Sequence, residues 1–253
     1  MIDIHSHILY GLDDGSKSLE ESVAMLQMAA DSGTTDIVAT PHADLQYTFQ
    51  PDLIRLRVEE LTQATGGLPR IHEGCDFHLT FDNIQDAIAN PTKYTVAHKT
   101  YLMVEFSDMV IFPNTPEVFE RMRAAGILPV ITHPERNQLL QQRLPALERW
   151  VHEGCFLQVT GQSLLGRFGK TARAFSIDLL KRNLVHFIAS DGHDTKHRPP
   201  VLNDSYDWTK QEFGENLAQR LFVDNPRAVI EGLPLPPVEP KEIPSRKWYQ
   251  FWS

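Results

Sequence analysis

The chain opens Met1-Ile2-Asp3-Ile4-His5-Ser6-His7, two imidazoles one residue apart at the end of an apolar run. A β-strand repeats every two residues, so His5 and His7 project to one face and can grip a single cation. An isolated His-x-His is as often one packed and one solvated histidine. Here histidines or acids recur at five further strand ends: His42 after Pro41, Asp76 after Gly74-Cys75, Glu105 after Val104, His133 after Thr132, and Asp191 with His193 after Ser190. That pattern reads as a polynuclear metal site. Imidazole and carboxylate without thiolate suit Mn, Fe or Zn better than a structural zinc knot. A cluster of such ions can make hydroxide available near neutral pH and neutralise a phosphoryl group during in-line attack. Phosphate ester hydrolysis is therefore the expected reaction class, with amide or lactone hydrolysis a weaker alternative.

Other catalytic patterns fail. Neither Cys75 nor Cys155 is followed by the arginine that closes a cysteine-phosphatase loop. Gly161-Gln162-Ser163-Leu164-Leu165 lacks the final glycine of a nucleophile elbow. Gly169-Lys170-Thr171 looks like the end of a phosphate-binding loop, but position 164 is leucine where that loop needs glycine.

The elements that must position the metal-type residues alternate in kind. Strands are expected over 1–5, 35–40, 70–77, 101–106, 128–133, 155–160 and 184–190, several almost continuously apolar, as parallel strands covered on both faces are. Ser18-Leu19-Glu20-Glu21 reads as a capping box opening a helix that stops near Gly33. Asn114-Thr115-Pro116-Glu117 offers a cap and a first-turn proline, with Gly126 ending that helix. Further helices fit 52–64, 144–153, 170–183 and 205–221. Seven βα-like units predict an α/β fold, a distorted (β/α)7 TIM-like barrel with the metal site at the C-terminal ends of its strands, where such folds build their sites. Residues 1–232 read as one domain, and 233–253 as a proline-rich tether with a basic-aromatic tail.

At 253 residues, with 42% hydrophobic and 23% charged side chains, the chain can bury a large core. Its formal charge of −9 argues against a nucleic-acid surface, although bound divalent ions would change the potential inside a cleft. Two cysteines in apolar stretches read as buried thiols in a reducing compartment. Neither a signal peptide nor a run of ~20 apolar residues is visible, so a cytoplasmic location is expected. The tail holds Arg246, Lys247, Trp248, Tyr249, Phe251 and Trp252, a composition suited to a membrane interface or a partner's groove.

Met1-Ile2-Asp3-Ile4-His5-Ser6-His7, Leu12-Asp13-Asp14-Gly15, Ala39-Thr40-Pro41-His42, His133-Pro134-Glu135-Arg136 and Ala189-Ser190-Asp191-Gly192-His193 together resemble the PHP (polymerase and histidinol phosphatase) superfamily. Within it the chain is most similar to bacterial manganese-dependent protein tyrosine phosphatases of capsule and exopolysaccharide clusters. The resemblance runs from Met1 to about Gly232 and implies three divalent metal ions. His5, His7 and Asp191 would bind the first, His42, His193 and Asp14 the second, and Glu105 with His133 the third. A bridging glutamate is usual in the family; here Asp76 occupies the matching position, with Glu73 as its rival on the opposite strand face. Arg136 and Arg198 follow ligand positions closely enough to clamp a phosphate with a planar fork. His72, His78, His98, His152, His186 and His197 are read as ordinary histidines. The implied activity is phosphotyrosine hydrolysis by metal-activated hydroxide, on a tyrosine-phosphorylated protein such as a bacterial tyrosine kinase. Two alternatives stand beside it: a small-molecule phosphoesterase acting on a compound such as histidinol phosphate, and a non-catalytic metal-stabilised scaffold.

Overall fold

The computed structural model of the chain describes residues 1–236; the basic-aromatic tail expected over 245–253 lies outside them. Nine strands run β1 Ile2–Ser6, β2 Asp36–Ala39, β3 His42–Ala43, β4 Arg70–Glu73, β5 Asp76–His78, β6 Tyr101–Glu105, β7 Leu128–Thr132, β8 Phe156–Thr160 and β9 Phe187–Ala189. Helices α1 Leu19–Asp31, α2 Pro51–Thr65, α3 Phe81–Ala89, α4 Thr115–Ala124, α5 Gln138–Gln141, α6 Leu144–His152, α7 Gly161–Leu164 and α8 Gly169–Lys181 alternate with them. After β9 come α9 Asn203–Phe213, α10 Glu215–Gln219, a π-helical turn over Arg220–Asp224 and α11 Asn225–Glu231.

Every strand pair is parallel, and the strands form two sheets, β1-β2-β4 and β3-β5-β6-β7-β8-β9. The expectation of seven unbroken strands needs correcting on two counts. The run 70–77 divides at Gly74-Cys75, where a Cβ on Gly74 would come within 2.8 Å of Val38 Cγ1, and its halves join different sheets. The run 35–40 is followed by Pro41, which has no N–H for a ladder, and pairing resumes at His42. The outer edges of the two sheets meet where Asp191 N donates to His5 O (2.9 Å) and His7 N to Gly192 O (2.8 Å). Asp3 pins that seam, accepting from Ser190 Oγ at 2.5 Å and Ser190 N at 3.0 Å. Burial raises its carboxyl to about 6.

Alternation along each strand sorts the core into layers. Ile2, Ile4, Val38, Tyr101, Met103, Val130, Phe187 and Ala189, drawn from both sheets, form one buried cluster between the strands. The other strand faces are covered by helices: Met25, Leu26 and Ala29 of α1 meet Ile37 and Ala39, while Phe119, Trp150 and Leu179 belong to the cluster over Leu102, Val104, Ile131 and Leu157. Ser18 caps α1 as expected, accepting from Glu21 N at 3.3 Å. Asn114 makes no side-chain cap bond. The helix expected over 205–221 breaks at Gly214, whose φ of 92° suits glycine and interrupts the helical repeat.

Candidate metal centre

Parallel register brings the metal-type residues together. His42 pairs with Asp76 across β3 and β5, and His78 with Glu105 across β5 and β6. Glu105 shares parity with Tyr101 and Met103, so it surfaces at the end of the strand directly above the inner cluster. The β1–β2 register shifts between Asp3 and Ser6, and His5 lies at that irregularity.

All nine residues expected as metal ligands converge. Asp76 Oδ2 lies 3.5 Å from His5 Nε2, 4.0 Å from His7 Nε2 and 3.3 Å from His42 Nδ1. Asp191 Oδ1 lies 3.4 Å from His5 Nε2, 3.5 Å from His7 Nε2 and 3.5 Å from His193 Nδ1. Asp14 Oδ1 faces His42 Nε2 at 3.3 Å and His193 Nε2 at 3.4 Å. Glu105 meets His133 Nε2 at 3.6 Å and His42 Nδ1 at 3.5 Å. Glu73, the rival bridge, is elsewhere, paired with His98 at 3.3 Å. His133 (φ 30°) and Asp191 (φ 51°) hold left-handed backbone without being glycine, strain of a kind that concentrates at functional sites.

The ring atoms that face away from the cluster are also held. His5 Nδ1 donates to Gln158 Oε1 at 3.0 Å, His7 Nδ1 to Asp13 Oδ2 at 2.7 Å, and His193 Nδ1 to Asp191 O at 2.9 Å. Such partners fix which ring nitrogen is free to coordinate. Asp13 also accepts from His42 N (3.1 Å) and Gly15 N (2.9 Å), and a Cβ on Gly15 would lie 2.2 Å from His7 O. The loop can fold this tightly over His7 only with glycine there. His78, read as ordinary from the sequence, is bonded to Glu105 Oε2 at 2.6 Å and sits edge-on to His42. The period-2 argument that linked His5 to His7 also links Asp76 to His78. Asp13 was visible beside Asp14, but only buried geometry separates their roles.

Arg136 and Arg198, from different loops, both donate to Asp191 Oδ2. Arg136 lies 4.5 Å above the Phe168 ring, which fixes its approach. Its neighbour Glu135 is fully buried and accepts from Ser163 Oγ at 2.7 Å and Thr160 N at 3.0 Å. Arg198 is held by its own loop, where its carbonyl accepts from His193 N at 2.7 Å.

The charges balance imperfectly among themselves. Burial alone would lower His42, but the Asp14 and Asp76 carboxylates push it up to about 12. Burial likewise opposes ionisation of Asp191, yet Arg136, His5 and Arg198 hold its carboxyl well below the usual range. Burial and then the charge on Asp76 raise Glu105. Burial and His7 take His193 down to about 4. Both oxygens of Asp76 and Nδ1 of His42 are buried without a hydrogen-bond partner. A buried carboxylate that makes no hydrogen bond and is faced by three imidazoles is a natural partner for a cation. Donor atoms fall within 4.8 Å of one another in His7/Asp14/His42/His193, His5/His7/Asp76, His5/His133/Asp191 and His42/Asp76/Glu105; a further group joins Asp44 and His78 to His42. Asp76 belongs to two of these groups, as do His5 and His7. The side chains present therefore fit several divalent cations. Both thiols, by contrast, are buried, with Cys155 pushed up to about 12 by burial.

A family model described as capsular polysaccharide synthesis, CpsB/CapC, matches residues 1–231. CapC of Staphylococcus aureus is 36% identical over 211 residues, covering 81% of this chain and 82% of its own. The tyrosine-protein phosphatase CpsB of Streptococcus pneumoniae is 31% identical over 239 residues, covering 91% of this chain and 98% of its own. A solved structure from work on YwqE of Bacillus subtilis and CpsB of Streptococcus pneumoniae, described as metal-dependent tyrosine phosphatases, superposes with a TM-score of 0.87. It is 29% identical and covers 96% of this chain and 100% of its own. A lactonase from Listeria monocytogenes, 16% identical with a TM-score of 0.58 over 90% of this chain and 94% of its own, shares the fold.

Proposed function

The chain belongs to the CpsB/CapC family, and from that premise we propose that it is a metal-dependent tyrosine-protein phosphatase. The observation that carries this reading is the ring of imidazoles around Asp76 and Asp191 with two guanidiniums converging on one side of it. Three divalent cations, Mn in the first place and Fe or Zn as alternatives, would be held by His5, His7, Asp14, His42, Asp76, Glu105, His133, Asp191 and His193. When bound they supply positive charge against phosphoryl oxygens and acidify water. The chain's own residues do the rest. Asp76 spans two of the donor groups, Asp13 and Gln158 orient His7 and His5, and Arg136 and Arg198 grip the phosphate oxygens and fix the ester for in-line attack. With both thiols buried, no cysteine nucleophile is proposed.

On this reading the two sheets form a distorted seven-stranded barrel, in which β2 with β3 and β4 with β5 are interrupted strands and the β1–β9 seam closes the ring. The substrate is a tyrosine-phosphorylated protein, a bacterial tyrosine kinase of capsule or exopolysaccharide synthesis, met on the cytoplasmic side. No helix among the described residues is long and apolar enough to cross a membrane. The basic-aromatic residues 245–253 would dock the protein at the membrane or on the kinase. Their removal should weaken co-sedimentation with vesicles or kinase while leaving aryl phosphate turnover intact; equal association would refute the docking role. The activity itself is tested by assaying the metal-loaded chain on phosphotyrosine peptide, phosphoserine peptide and histidinol phosphate. Preference for phosphotyrosine is expected. Preference for histidinol phosphate would replace this reading with the small-phosphoester one.

A further inference from the structure

Beside the metal centre, at the C-terminal ends of β3, β5 and β6, lies a cavity of about 510 Å³ whose walls include Leu45, Leu79, Phe81, Phe106, Val110 and Phe112. Eight large apolar side chains are conspicuously exposed among the described residues, and four of them, Leu45, Phe81, Val110 and Phe112, line this one cavity. Leu45 is 95% exposed and Phe81 76%. Leaving that much apolar surface in water is unfavourable, and such concentration marks a binding surface rather than chance. The floor is preformed: Phe106 is buried and stacks on Trp150 at 5.5 Å with the rings 9° from parallel.

We infer that this groove seats apolar side chains flanking the phosphotyrosine of the substrate protein, an inference that rests on the phosphatase reading and gives it a sequence preference. The groove is continuous with the centre. His78 lines it and is bonded to Glu105, and Phe106 follows Glu105 in the chain. The arginines lie in the loops after β7 and β9 and the groove at the ends of β3, β5 and β6, so both open at the C-terminal ends of the strands and one bound peptide could reach both. The lining holds no lysine or arginine and one carboxylate, Asp44, which disfavours an acidic segment and favours an apolar one. The end of the described chain is an unsuitable occupant. Leu233 O accepts from Tyr101 Oη at the start of β6, the opposite end of the strand from Glu105.

The test compares two phosphotyrosine peptides, one flanked by Leu and Val and one by Ser and Gly, on the full metal-loaded chain. A small aryl phosphate is the reference substrate. Wild type should use the apolar-flanked peptide about tenfold better in kcat/KM, chiefly through KM, the scale expected for seating one or two exposed apolar side chains. In the double variant Leu45→Ser/Phe112→Ser, at exposed positions where folding is undemanding, the preference should fall to near unity. Circular dichroism and metal content establish that the variant is folded. Equal use of both peptides by wild type, or a preference that survives in the variant, would overturn the inference while leaving the phosphatase reading standing. A preference seen only after residues 237–253 are removed, or a wild-type dimer lost in the variant, would assign the groove to the tail or to a second copy and overturn it too. Failure of the metal-loaded chain on every phosphotyrosine peptide would instead overturn the phosphatase reading.

Discussion

Asp13 touches no expected cation position, yet its carboxylate lies 2.7 Å from His7 Nδ1 and also holds the backbone of His42 and Gly15. Removing that acceptor frees the His7 ring to turn and weakens its basicity, so Asp13→Ala should lower metal affinity about 10–100-fold. Competition with a chelator of known affinity checks this, and unchanged affinity would show that His7 needs no such support. Arg136 is the converse case, a residue proposed to act on substrate more than on metal. Arg136→Lys keeps the charge but loses the planar fork, and should cut kcat/KM on phosphotyrosine peptide by roughly ten- to a hundredfold, the worth of one charged hydrogen bond. Metal content should stay within error of wild type; loss of metal would make Arg136 a support for Asp191 instead. The sequence made eight of the nine ligand-type residues legible because each sits at or beside a strand end where residue type and position agree; Asp14, in the loop after β1, was legible only through the family resemblance. It left Asp13 and Gln158 unassigned and read His78 as an ordinary histidine, since their roles depend on which ring nitrogen faces inward, a matter of packing and not of spacing.

Strands and helices were legible as types and less so as boundaries. The run 70–77 reads as one strand because Arg70, Ile71, Cys75 and Phe77 suit a strand; its division follows from the close approach of Val38 to Gly74, a contact no local pattern encodes. His186, read from the sequence as an ordinary histidine, is buried just before β9, where its Nδ1 accepts from Leu157 N at 3.1 Å and Phe156 packs edge-on. Burial and then the charge of Arg220 take it down from 6.5 to about 4. As pH falls through 6.5 the unfolded chain takes up a proton that the folded chain refuses until near pH 4, so stability is lost on acidification. Between pH 7 and pH 5 this residue should cost about 2 kcal/mol of folding free energy, an upper figure from the size of the shift. His186→Gln should flatten that part of the pH dependence, read as the urea midpoint at the two pH values. Parallel losses in wild type and variant would mean His186 is protonated in the fold.

For the whole molecule, the excess of acids in the composition is partly concentrated in the centre. Asp13, Asp14, Asp76, Glu105 and Asp191 there outweigh Arg136 and Arg198 unless the imidazoles are protonated. Raised values at His7, to about 9, and at His42, to about 12, express that demand for positive charge. Divalent cations would satisfy it and displace those protons, so metal binding and proton release should be linked. The most direct measurement follows the metal-to-protein ratio and phosphotyrosine-peptide turnover together, as a chelator strips the chain and Mn is then restored, with both thiols alkylated where they react. Turnover should fall in step with metal, return with Mn and be indifferent to alkylation. Full turnover by metal-free protein, or turnover lost through blocked thiols while metal stays bound, would contradict the metal-dependent account.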